Sequence, residues 1–84
     1  MNDVDVPQHT LESLKAYIET GRPSGGFLHA VLVNDLRGAC ARADRLNRHA
    51  LYDIVYWLTN NAPSGCWGSE SRVDEWLSSR RGTP

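Results

Sequence analysis

The sequence predicts an all-α fold, a compact bundle of four to five short helices with a Trp-containing structural loop before the last one. Three observations predict it. Apolar residues recur three and four apart through most of the chain, which is the spacing of one helix face. Residues that start or stop helices stand between those stretches: Thr10, Gly21, the Asn34-Asp35 pair, Asp44, Pro63 and Ser69. Strand-like alternation does not persist over four or more positions.

Taken in order, residues 1–9 read as a short extended arm, because Pro7 holds Val6 before it in an extended conformation. Thr10 reads as the N-cap of a first helix over about 11–20. Leu11, Leu14, Tyr17 and Ile18 share its inner face, and Gly21 supplies the left-handed residue that stops it. Arg22 to Gly26 form a tight connector. From 27 to 43, Phe27, Leu28, Val31 and Leu32 repeat at helical spacing until Asn34 and Asp35 interrupt them, so this stretch reads as two helices meeting at a bend. In its second half Leu36, Ala39, Cys40 and Ala43 share a face, with Cys40 as a small core residue. Asp44 caps a helix over about 45–60, whose stretch from Ile54 to Leu58 is apolar almost all round. Asn60, Asn61 and Pro63 end it. Ser69 caps a final helix over about 70–81, with Val73, Trp76 and Leu77 inward and Arg80 and Arg81 at the negative end of its dipole. The expected core is Leu14, Ile18, Phe27, Val31, Leu32, Leu36, Leu51, Ile54, Leu58, Val73, Trp76 and Leu77. Trp67 is expected to pin the loop from Pro63 to Ser69, with Cys66 packed beside it.

The totals exclude several functions. Residues 1–84 make one domain, with residues 82–84 as a frayed tail. A chain this short buries only about 60% of its unfolded surface, so a partner or a second copy as a homodimer would add to its stability. Nine basic and ten acidic residues leave a net charge of −1, which argues against a general nucleic-acid binder and against an acidic DNA mimic. Two cysteines do not make a disulfide framework. The N-terminus has neither the basic region nor the apolar run of a targeting segment. The apolar run from Ala30 to Val33 is too short to span a membrane. These features together predict a cytoplasmic protein.

Site chemistry is sparse. His9, His29, His49, Cys40 and Cys66 lack the paired spacing of metal ligands, so no metal or cofactor is expected. Ser24-Gly25-Gly26 precedes a helix, as anion-binding loops do, but it lacks the strand and lysine of a P-loop and reads as a tight turn. Cys66, just ahead of a helix N-terminus, is the one candidate nucleophile; packed beside Trp67, it reads as structural, and no catalytic residue is assigned.

The richer feature is a surface. Arg37, Arg42, Arg45 and Arg48 crowd one region with His49, and Asp35, Asp44 and Asp53 interleave with them. Arg45, Arg48 and Tyr52 stand at i, i+3 and i+7, on one helical side. Tyr52 and Tyr56, four apart, either join that side or complete the core with their hydroxyls wet. Tyr, Trp and Arg dominate interface hot spots. Arg42, Arg45, Arg48, His49, Tyr52 and Tyr56 are therefore the candidate partner-binding residues.

Two strings are distinctive in order: Gly25-Gly26-Phe27-Leu28, Ala30-Val31-Leu32, Asn34-Asp35-Leu36, Ala43-Asp44 and Asn47; then Pro63-Ser64-Gly65-Cys66-Trp67-Gly68-Ser69, Val73 and Trp76-Leu77. Together they resemble a group of short phage and prophage proteins of no assigned activity. The resemblance implies a phage or prophage setting in a bacterial cell. It carries over no site residue. Small phage proteins of this kind often bind and block a host protein, and anti-CRISPR inhibitors of bacterial immune complexes are one such group. The expected function is thus a non-enzymatic protein-binding inhibitor. The alternatives are a small helix-turn-helix DNA-binding regulator and a thiol enzyme built on Cys66.

Overall fold

The computed structural model describes residues 6–80. Arg81 and the tail, and the first five residues of the expected arm, lie outside the described residues. Within them the chain forms α1 (Gln8–Thr20), α2 (Gly26–Leu32), α3 (Leu36–Arg42), α4 (Arg45–Asn61), a 3-10 turn (Ser64–Cys66) and α5 (Glu70–Arg80), with no strand among the described residues. The all-α reading holds, and the bend lies where the Asn34-Asp35 interruption puts it. Asn34 takes φ 69°, a left-handed conformation that Asn tolerates, and this breaks the stretch into α2 and α3.

Local chemistry explains most of the boundaries. Gly21 ends α1 at φ 71°, and its N–H donates to the Tyr17 carbonyl. Asp35 accepts from the Gly38 N–H (3.0 Å), and Asp44 accepts from the Asn47 N–H (2.8 Å); both are side-chain N-caps. Ser69 does the same for Arg72 at 3.2 Å. The start of α1 departs from expectation. The helix begins at Gln8, so Gln8 and His9 are helical, and the Pro7 carbonyl accepts the first helical bond from Leu11 (2.9 Å). Thr10 is therefore inside the helix and buried. Its hydroxyl donates to Asn47 Oδ1 on α4 at 2.6 Å, a bond made away from water, and α1 starts without a side-chain cap.

The core collects side chains from every helix. Leu14, Tyr17, Leu32, Ile54, Leu58, Cys66 and Val73 are almost wholly buried, with Phe27, Val31 and Trp57 beside them. Ile18, Leu51, Trp67, Trp76 and Leu77 are half-buried against this cluster. Two expectations for α3 fail. Leu36 is 66% exposed, and Cys40 is exposed. A seven-residue helix has two turns and, here, one fully inward position, which Ala39 takes. Leu36 is its first residue, immediately after the bend, and hangs over the edge of the bundle.

The loop before α5 is fastened from several sides. The Tyr17 hydroxyl donates to the Cys66 carbonyl (2.6 Å), and the Gly68 N–H donates to the Leu32 carbonyl (2.7 Å). Arg72 Nη1 lies 3.4 Å from the carbonyls of both Ser64 and Trp67. Trp76 Nε1 donates to the Tyr17 carbonyl (3.1 Å), drawing α5 onto the end of α1. The loop is the expected clasp with its roles exchanged. Cys66 is the fully buried pin, and Trp67 is its half-buried neighbour.

Candidate functional site

Helix α4 has two sides of opposite character. Asn47, Ala50, Ile54, Trp57 and Leu58 are buried. At about 100° per residue, Arg45, Tyr52 and Tyr56 fall within about 40° of one another on the opposite side, flanked by Arg48 and His49. All five are exposed. Tyr52 is 75% exposed and Tyr56 39%, and their rings stack with centroids 5.9 Å apart at 12°. Of the two placements open to the tyrosines, the structure shows the outward one. Their stack holds two aromatic faces in a defined position at the surface.

The flanks differ. On one, Leu46 (62% exposed) and His49 join Pro7, Gln8, His9 and Asp53 around a shallow groove against the start of α1. On the other, Leu51 and Val55 meet Val31, Ala39 and the overhanging Leu36 around a small hollow with Asn34 and Asp35 at its rim. Sequence periodicity missed Leu36 as a surface residue, since at helical spacing it matches the core. The signal available was its position directly after a helix-breaking pair.

Not every candidate residue gathers here. Arg42 donates to the Gly38 carbonyl of its own helix (3.3 Å) and lines a separate cleft with Ser24, Gly25, Gly26, His29 and Glu70. In that cleft His29 Nε2 is 3.6 Å from Glu70. The surface that remains is Arg45, Arg48, His49, Tyr52 and Tyr56, extended by Leu36, Leu51 and Val55. Asp44 and Asp35 are engaged as helix caps, and Asp53 lies on the His49 side of the crest of α4, one turn after His49.

The other chemistries have these placements. Cys66 is completely buried, with its backbone carbonyl bonded to Tyr17. Among the described residues no three His, Cys, Asp or Glu side chains gather to hold a metal. No helix among them is long and apolar enough to cross a membrane. Burial pushes the Tyr17 hydroxyl up to about 12 from its ordinary 10, and the charges of Cys66 and Asp74 add to the rise, so the phenol stays neutral as a donor. No protein-family model, curated protein or solved structure matches the chain.

Proposed function

We propose that this chain is a small non-enzymatic binding protein of phage type that occupies a bacterial host protein, or a complex of the host's immune machinery, through the outer face of α4 and the edge of α3. The observation that carries the proposal is the stacked, exposed Tyr52–Tyr56 pair, one and two turns after Arg48 on the same side as Arg45, on a helix whose opposite side fills the core. Buried aromatic and arginine anchors supply most of the energy of protein interfaces. Exposed apolar residues gathered on one side of a small protein mark such a contact. The phage assignment rests on the resemblance of the two sequence strings.

Cys40 offers a direct test. It is exposed and stands one turn after Leu36 on α3, whereas Cys66 is buried. A thiol-reactive photo-crosslinker on Cys40 should trap the partner in a bacterial lysate. The yield should fall to background in the Arg45→Glu/Arg48→Glu double variant. An unchanged yield would remove this face from the proposal.

The second reading is a small DNA-binding regulator. What favours it is the tight corner between α2 and α3, which exposes Arg37 and Arg42 on the second helix. It predicts a mobility shift of duplex DNA at low salt that weakens steeply as salt rises. No shift at low salt would end it.

A further inference from the structure

We infer that the partner segment is an acidic amphipathic helix whose apolar anchor enters the hollow between α3 and α4 and whose carboxylates meet Arg48 and Arg45. The inference rests on the outer face of α4 being the contact surface, and it adds the partner's chemistry and direction.

Two observations point this way. The first is the hollow, walled by Val31, Leu36, Ala39, Leu51 and Val55. These walls are aliphatic and reward an apolar side chain, and the polar residues that line the hollow are Asn34 and Asp35 at its rim. An apolar knob from a helix is the usual occupant of such a groove. The second is the charge gradient along the helix. Arg48 lies three and seven residues before Leu51 and Val55, on the same edge, and Arg45 lies one turn further on. At a rise of about 1.5 Å per residue, the two guanidinium groups start roughly one and two turns from the hollow. Asp35, whose carboxylate caps α3, also lines the hollow. The surface is therefore apolar at the hollow and cationic on the side towards the start of α4. A partner helix matches it in one direction only, with Asp or Glu one to two turns from its anchor on the arginine side. Each guanidinium can then take a carboxylate through two parallel N–H bonds. Tyr52, one turn after Arg48 on the crest, shields the contact from water on that side.

A second copy of the chain fits less well, because it would bring Arg45 and Arg48 against another cationic crest. Nucleic acid would satisfy the arginines but would leave the hollow empty and press phosphates towards Asp35.

The experiment is selection of random displayed peptides on the full chain, held by a terminal tag, alongside the same selection on the Arg45→Glu/Arg48→Glu variant. Both side chains are exposed, so the variant should fold, and its far-UV circular dichroism should match the parent's. The expected peptides carry Leu, Ile or Phe followed or preceded, on one side only, by Asp or Glu one to two turns away. The variant should select Lys or Arg at those positions instead. The acidic peptides should bind it roughly tenfold or more weakly, as two exposed pairs become two repulsions. In heteronuclear NMR the peptide should move the amide signals of Leu36, Leu51 and Val55. Peptides that move those signals but show no charge preference, or none that reverses, overturn the acidic partner and leave the surface standing. Peptides whose shifts fall elsewhere, or no enrichment at all, overturn the surface and this inference with it. An oligonucleotide that moves the same signals at least as strongly as the peptides overturns the inference in favour of nucleic acid.

Discussion

The clasp around Tyr17 and the outer face of α4 use the same kinds of residue in opposite ways. At the clasp, Tyr17 is 1% exposed; its hydroxyl is spent on Cys66 and its carbonyl receives the Trp76 indole. On α4, Tyr52 is 75% exposed and its ring rests against Tyr56. Arginine divides in the same way. Arg72 reaches two loop carbonyls, while Arg45 and Arg48 stand in solvent. The difference teaches that residue type does not tell a structural aromatic from a solvent-facing one. What tells them apart is whether the polar atom finds a partner inside the fold.

The largest effect should come from breaking the clasp. Tyr17→Ala removes a buried aromatic and leaves the Cys66 carbonyl without its donor, which should cost about 3–5 kcal/mol. For a domain of this size that is a large share of the total, and a large unfolded fraction should appear in thermal or urea unfolding. Tyr52→Ala, the same change on α4, should stay within about 0.5 kcal/mol of the parent. If the two substitutions cost the same, the comparison is wrong.

A smaller change sharpens it. Tyr17→Phe keeps the ring and deletes the hydroxyl bond, at a cost of about 1 kcal/mol, or roughly 4–8 °C in Tm. The same hydroxyl predicts a pH dependence. Its pKa is about 12 in the folded protein against 10 in the unfolded chain. Because the folded value is raised, the contribution is complete below pH 10 and disappears as pH climbs towards 12, where the unfolded chain has already released its proton. Urea unfolding at pH 9 and at pH 11.5 should show a larger loss for the parent than for Tyr17→Phe. Equal losses would mean that Tyr17 is not the group responsible.

Asp44→Ala tests the helix that links the two regions. It removes the side-chain cap on the Asn47 N–H and should cost about 1 kcal/mol, read as a lower urea midpoint with an unchanged slope. Least disturbing of all should be alkylation. Cys40 should react in the native protein and Cys66 only on unfolding, with the order of modification read by mass spectrometry. Early reaction at Cys66 would mean that the clasp opens in the native state.

Much of the fold is legible in the sequence because caps and periodicity are local. Asp35, Asp44, Ser69 and Gly21 each act within four residues of themselves, and each does what its chemistry predicts. The failures involve distance or short elements. Thr10 pairs with a residue 37 positions away, and Tyr17 with one 49 positions away; no local pattern encodes either bond. Helix α3 is too short for a periodic face to say whether Leu36 or Ala39 points inward. On α4 the run from Ile54 to Leu58 is apolar almost all round, so periodicity could not orient Val55 and Tyr56. The arginines were identifiable as a group, yet Arg42 separated from them because its helix turns it towards Gly26. Leu36 entered the candidate surface only with the structure.

The most direct test of the division between the clasp and the proposed contact face measures stability and partner capture on the same two variants. The account predicts that Tyr17→Phe lowers Tm by several degrees and leaves photo-crosslinking through Cys40 at the parent's yield. It predicts that Arg45→Glu/Arg48→Glu leaves Tm unchanged and abolishes the crosslink. A double variant that still captures the same partner at the parent's yield would contradict it.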